Sequence, residues 1–273
     1  IRDRRRVGHS GTLDPLATGL LVVGVERGTK FLAHVVAHDK RYEATVRLGM
    51  ATHTDDAQGD ITFTASPEKL ATLTEEQIRT AFATQIGDIM QRPTSVSSIK
   101  IDGKRAHELV REGHEVVLPE RPVTIFSLEV HDVVVNDAPS CIDVSISVHC
   151  SSGTYIRAIA RDVGAALGVG GHLTMLRRTS VGPFDISEAR TLEQLDANPT
   201  LTLNLDEAMV RCFATREISE SEGVDLSLGK WLEPVGNKGV TAAVTPSGHA
   251  IALIEEKGKR AASVFVARPA GLA

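Results

Sequence analysis

Polar and apolar positions alternate with a period of two over two neighbouring stretches, and these predict the clearest strands. Ile142, Val144, Ile146 and Val148 stand against Asp143, Ser145, Ser147 and His149, which gives one dry and one wet face. Residues 123–135 form a second such run, and the turn-forming residues 136–140 join the two into an antiparallel hairpin. Earlier in the chain, residues 42–48 alternate in the same way. Residues 20–25 are a short apolar run beside glycines, and 29–38 carry helical spacing between them. Thr74 with Gln77 predicts a capping box opening a helix that places Ile78, Phe82 and Ile86 on one face and ends at Gly87. Ile156, Ile159, Ala160, Val163 and Leu167 form a helix stripe, stopped by Gly168 and the Gly170-Gly171 pair. The pattern weakens over 191–204, where Asn198-Pro199 predicts a break and a domain boundary. Short strands at 241–244, 250–254 and 263–266 then predict a small β-rich appendage. There is no internal repeat.

Composition narrows the class. The chain has 273 residues, 42% apolar and 24% charged, enough for one or two cores. No apolar run approaches the roughly 18 residues of a membrane span, and the first residues are charged, so a soluble cytoplasmic protein is expected. Three cysteines, Cys141, Cys150 and Cys212, are too few for a disulfide framework or a four-ligand zinc site. The formal charge of −5 argues against a polyanionic partner, but it is unevenly spread. Residues 1–49 carry nine Lys/Arg against five Asp/Glu and 151–184 carry four against one, whereas 50–150 carry eight against sixteen. A polyanion would meet two separate basic stretches.

The most unusual residues are Gly8-His9-Ser10-Gly11-Thr12-Leu13-Asp14-Pro15, followed by Leu16-Ala17-Thr18-Gly19. Pro15 biases Asp14 towards an extended backbone, and a carboxylate held stiffly there suits a nucleophile or general base, though Asp-Pro after Gly is also a common turn. Lys40-Arg41-Tyr42-Glu43 sets an aromatic ring among charges at a strand start, where it could stack on a flat ligand. Ser152-Gly153-Thr154-Tyr155-Ile156-Arg157 places Tyr155 and Arg157 at a helix start. Arg157 lies off the apolar stripe, and its fork matches the two oxygens of a carboxylate. His53 with Asp55 and Asp56 reads as a solvated turn rather than a metal site. His107 and His114 flank a mixed-charge stretch at 104–111 that suits a solvated surface or one facing a polyanion. His172 before Arg177-Arg178 allows a contact to the same polyanion, which the resemblance below identifies as RNA, and Trp231 reads as a core residue of the appendage. There is no P-loop and no dinucleotide glycine fingerprint.

Taken together, GHSGTLDPLATGLL, KRYEATVRLG, CSSGTYIRAIARDVGAALG and GGHLTMLRR resemble the bacterial tRNA pseudouridine synthase B family, over residues 7 to about 184. Thr54-Asp55-Asp56-Ala57, residues 93–100 and Gly103-Lys104-Arg105-Ala106 extend the likeness. The resemblance implies an α+β pseudouridine synthase fold: a largely antiparallel mixed sheet with flanking helices, and a small β-rich C-terminal domain of the PUA kind. It implies a catalytic domain over 1–200 and an RNA-binding domain over 205–273. The implied activity is isomerisation of uridine 55 in the tRNA T-loop, with the base flipped out of its stack. By the same match Asp14 is the catalytic carboxylate, Tyr42 the stacking ring and a candidate for proton abstraction, and Arg157 the partner of the aspartate. Tyr155 and Leu176 line the pocket and His9 helps to hold the RNA loop open. No cofactor, metal or obligatory protein partner is implied, and tRNA is met through its T-stem and loop by a monomer. Whether Asp14 adds to the base or acts at the sugar stays open. Family members begin with a strand and an Asp-Lys-Pro segment that this chain lacks, so a piece of a longer protein is expected. A magnesium-dependent hydrolase using Asp14, a non-catalytic RNA-binding module and the related guide-RNA synthase are the rival readings. The first lacks a second carboxylate near Asp14 in sequence.

Overall fold

In the computed structural model the described residues are 6–97, 99–101, 104–106, 108, 112 and 116–271. In chain order they form strands β1 (Val7–Ser10), β2 (Thr18–Gly19) and β3 (Val22–Val25), helix α1 (Gly28–Val35), and strands β4 (Lys40–Leu48), β5 (Met50–Thr52) and β6 (Ile61–Thr64). Helices α2 (Pro67–Ala71) and α3 (Glu75–Ala83) and strands β7 (Gly87–Gln91), β8 (Lys100–Ile101), β9 (Lys104–Arg105), β10 (Arg121–Asp137) and β11 (Ser140–Cys150) follow. Helix α4 (Ile156–Ala166), strands β12 (Gly171–Val181) and β13 (Phe184–Asp185), and helices α5 (Leu192–Ala197) and α6 (Leu205–Cys212) come next. The chain closes with β14 (Ala214–Glu217), α7 (Glu220–Ser227), β15 (Val240–Val244), β16 (Ala250–Lys257) and β17 (Arg260–Val266).

The chain divides into two compact units. One holds residues 12–20 and 37–181. Its sheet runs β12-β4-β11-β10-β7 with every neighbour antiparallel, and β2 pairs in parallel with β12. The alternation in β4 and β11 sends Tyr42, Ala44, Val46 and Leu48, and Ile142, Val144, Ile146 and Val148, into one core. Ile78 and Phe82 of α3 and Ile156, Ile159, Ala160 and Val163 of α4 cover that face. Each of the Val, Ile and Phe side chains among these contributes about 1.5–3 kcal/mol by leaving water, so the helix carrying Arg157 is anchored by its apolar stripe. The predicted capping box forms at Thr74 and Gln77, but the helix ends at Ala83 and Ile86 is exposed. Gly87, at φ +103°, opens the edge strand β7 instead of closing the helix. Strand β12 bears no clean alternation, because it shifts register against β4 at 173–175 and again at 178–180.

The other unit holds the segment up to Gly11, residues 21–36 and 182–273. Its four-stranded sheet runs β14-β15-β16-β17, with β14 parallel to β15 and the rest antiparallel. Phe31 of α1 packs on Phe265 at 5.8 Å and on Phe213 at 6.3 Å between ring centroids, and Arg27 donates to the carbonyl of Val266. The hairpin β1-β3 and α1 therefore group with the end of the chain, an arrangement that sequence order around a break near residue 200 does not express. Over 185–230, where apolar periodicity is weak, α5, α6 and α7 each start with a capping box, at Thr191 and Gln194, Asn204 and Glu207, and Ser219 and Glu222. Trp231 is 45% exposed, not a core residue.

Candidate active site

Asp14 sits in the loop before β2, where the amide of Ala17 closes a turn on its carbonyl at 2.8 Å. That loop is held to the sheet at its far end. Leu20 donates to the carbonyl of Arg178 at 2.8 Å, and the Nε of Arg178 donates back to the carbonyl of Leu20 at 2.8 Å. Between them Gly19, at φ +102°, lies so close that a Cβ would stand 2.2 Å from the Arg178 carbonyl oxygen.

Arg157 lies one residue into α4, off the apolar stripe, yet its side chain is only 4% exposed. The surrounding loops close over it. Its Nε donates to Asp14 Oδ2 at 2.8 Å and its Nη2 to Asp14 Oδ1 at 2.9 Å, a two-pronged pair. The remaining protons go to the carbonyls of Thr54 at 2.9 Å and Val96 at 3.0 Å, and Asp56 Oδ2 lies 3.6 Å from Nη1. Four of its five protons are thus hydrogen-bonded, and the fifth faces the Asp56 carboxylate. Asp14 stays 32% exposed, so the oxygen lone pairs that Arg157 leaves unused are open to an incoming group.

The start of α4 is fixed by a residue that sequence reasoning did not single out. Gln91, buried at the end of β7, accepts from the amide of Tyr155 at 2.8 Å and donates to its carbonyl at 3.1 Å. The Tyr155 ring is covered by the guanidinium of Arg121 at 4.9 Å, which also donates to the carbonyl of Gly153 at 2.6 Å.

Tyr42 is buried in β4, opposite Val148 of β11 and Arg178 of β12, and Leu176, two residues before Arg178, belongs to the same core. Burial pushes the Tyr42 phenol up to about 12, against the pull of the Arg178 guanidinium, which also hydrogen-bonds it. The charge of Asp14 adds to the rise. Burial likewise lowers the neighbouring Lys40 ammonium, with Arg178 pushing the same way. Asp14, Arg157, Tyr42, Tyr155 and Leu176 all fall within one compact unit. His9 is exposed on β1, opposite Val23, in the other.

Three expectations need correction. The stretch around Asp55 and Asp56 is not a solvated turn. Asp56 is buried, its Oδ1 accepting from Thr54 Oγ1 at 2.5 Å and from the amide of Gln58 at 3.0 Å. Asp55, in a left-handed conformation at φ +59°, pairs with Arg161 at 3.3 Å. Burial raises its pKa and the Arg161 charge opposes the rise. His172 is buried and bonded through Nδ1 to the carbonyl of Met50 at 2.9 Å, which removes it as an RNA contact. Trp231 stands at the surface. His107 and His114 lie outside the described residues. Among the described residues no group of three or more His, Cys, Asp or Glu is placed to hold a metal.

A carboxylate gripped by a buried arginine beside a buried neutral phenol can act as a nucleophile or base in a site that needs no metal to orient it. The model of the TruB family pseudouridylate synthase N-terminal domain matches residues 1–156. Models of the tRNA pseudouridine synthase B and synthase II C-terminal domains match 157–217 and 213–268. A tRNA pseudouridine synthase B of Corynebacterium jeikeium is 86% identical, spanning all of this chain and 88% of the relative. That of Corynebacterium glutamicum is 61% identical over 97% of this chain and 88% of its own length. Among solved structures, an H/ACA RNP bound to a substrate RNA containing 2'-deoxyuridine matches with a TM-score of 0.69 at 21% identity, over 97% of this chain and 77% of that one. A Cbf5-Nop10-Gar1 complex matches with a TM-score of 0.69 at 23% identity and the same coverage, and at this identity these two carry the fold alone.

Proposed function

The chain belongs to the TruB family of pseudouridylate synthases and is an isomerase that converts uridine to pseudouridine in tRNA; on that premise we propose that its target is uridine 55 of the T-loop and that Asp14 is the catalytic carboxylate. The observation that supports this most is the two-pronged Asp14–Arg157 pair. Isomerisation breaks the bond from C1′ of the ribose to N1 and makes one from C1′ to C5, with a proton lost from C5 and one gained at N1. Atoms and electrons balance without a donor or an oxidant. Addition of the carboxylate to the ring, attack at the sugar, and proton removal from the sugar all require the acid at one fixed place with an open lone pair. Arg157 supplies the fixing, and the partial exposure of Asp14 supplies the opening.

Tyr42 and Leu176 form the wall against which a flipped uracil packs, and Tyr155 extends that pocket. With its phenol at about 12, Tyr42 holds only about 10⁻⁵ of its population as phenolate at pH 7. This favours a stacking ring and hydroxyl donor over a free base in the substrate-free protein. The exposed cations of the two basic stretches, Arg41 and Arg177 among them, meet phosphates, His9 helps to hold the RNA loop open, and 205–273 serves as an RNA-binding appendage. The protein acts as a monomer without a protein partner in the cytoplasm. Among the described residues no helix is long and apolar enough to cross a membrane.

The test is incubation of the chain with an unmodified tRNA transcript and no additive, followed by mapping of pseudouridine along the RNA. One modified position in the T-loop is expected. Modification at a different site would overturn the positional assignment.

A further inference from the structure

The last part of the chain is electrically divided. Residues 185–229 carry three Lys/Arg against ten Asp/Glu, whereas 230–273 carry six against three. The single tryptophan of the sequence, Trp231, lies at the start of the basic part. It is exposed, and the guanidinium of Arg260 lies 5.1 Å from its ring centroid.

The position of that ring is built. Leu232 and Ala261 exchange two backbone hydrogen bonds, at 3.0 and 2.8 Å, which sets Trp231 beside Arg260. Before it, the amide of Lys230 donates to the carbonyl of Asp225 at 2.9 Å. After it, the amides of Val235, Gly236 and Asn237 converge on the Glu256 carboxylate at 2.9–3.2 Å, and buried Arg216 donates to the carbonyl of Glu233 at 2.9 Å. Glu256 is thereby occupied by backbone amides and by Arg216, so its charge is answered locally. Strands β16 and β17 pair Lys257 with Arg260 across the turn at Gly258 and Lys259, which puts Lys259 and Arg260 at the exposed end of the hairpin.

An indole that stays at the surface while its loop is tied at three points is a platform rather than a core residue. A flat apolar ring with a guanidinium over one face fits a base on the other and a phosphate beside the cation. We propose that Trp231, with Arg260 and Lys259, is a stacking site for an unpaired nucleotide of the RNA substrate. The inference rests on the pseudouridine synthase reading for the identity of the RNA, and it assigns to the C-terminal unit a contact separate from the residues around Asp14.

Because the chain has one tryptophan, its emission reports on this position alone. The full chain is titrated with a six-nucleotide oligoadenylate, a blunt RNA duplex of equal charge, and an unmodified tRNA transcript, and pseudouridine is assayed in the last sample. Oligoadenylate and tRNA are expected to quench the emission to a plateau and the duplex to leave it unchanged; with binding read instead from the anisotropy of an end-labelled oligoadenylate, Trp231→Ala is expected to raise the Kd about tenfold. Equal quenching by the duplex would overturn the assignment to unpaired nucleotides. Flat emission at saturating tRNA would overturn the site. Pseudouridine formed in that same sample would show that the catalytic reading stands without it, and its absence would count against both.

Discussion

Replacing Arg157 with lysine keeps one positive charge and removes the fork, so it measures what the geometry contributes. The guanidinium serves both oxygens of Asp14 and the carbonyls of Thr54 and Val96. An ammonium, a single point with three protons on a shorter reach, leaves at least one of those four acceptors without a donor. A buried acceptor left unmade costs about 1–3 kcal/mol. We therefore expect Arg157→Lys to lose about 2 kcal/mol, a fall in Tm of about 4–8 °C for a chain of this size. Turnover should fall more than stability implies, because a carboxylate displaced by about 1 Å loses about 100-fold in rate. Tritium release from C5-labelled uridine in tRNA, measured below the lowered Tm, reads the second effect. A variant with the parent's Tm and turnover within about threefold would refute the account of Arg157 as the fixing group.

The Tyr42 phenol, pushed up to about 12, predicts a loss of stability at high pH. Between about 10 and 12 the unfolded tyrosine ionises while the folded one stays protonated, so stability falls by up to about 1.4 kcal/mol per pH unit, and urea midpoints of Tyr42→Phe should lack that part of the slope. The same slope in both proteins would show that Tyr42 is not buried as a neutral group. For Gly19→Ala, the added carbon would meet the Arg178 carbonyl at 2.2 Å in a backbone conformation that L-residues avoid. A loss of about 2 kcal/mol or more in urea unfolding is expected, and an unchanged midpoint would contradict the close approach.

The parts of the fold legible in the sequence are those where one face is dry and the other wet. The β10-β11 hairpin, β4 and the stripe of α4 follow from alternation at two residues or recurrence at three and four. Strand β12 was not legible in this way, because its two register shifts interrupt the alternation. The helices α5, α6 and α7 were missed because their start signals are capping boxes, present in the sequence at Thr191, Asn204 and Ser219, while their apolar faces are narrow. At the site, Asp14 and Arg157 stood out by motif. The burial of Asp55 and Asp56 did not, since it comes from α4 and residues 92–97, distant in sequence. Gln91 carries no local signal at all, because its role depends on where β7 ends against Tyr155.

The most direct test of the central claim separates binding from turnover at one atom. Asp14→Asn keeps the shape of the side chain but replaces one carboxylate oxygen with an NH2 group that accepts nothing from Arg157, and the resulting neutral amide cannot act as nucleophile or base. Incubated with an unmodified tRNA transcript, this variant should form no pseudouridine while its Kd for tRNA stays within about threefold of the parent's. Pseudouridine formed at the parent's rate, or tRNA binding lost together with turnover, would contradict the assignment of Asp14 as the catalytic carboxylate.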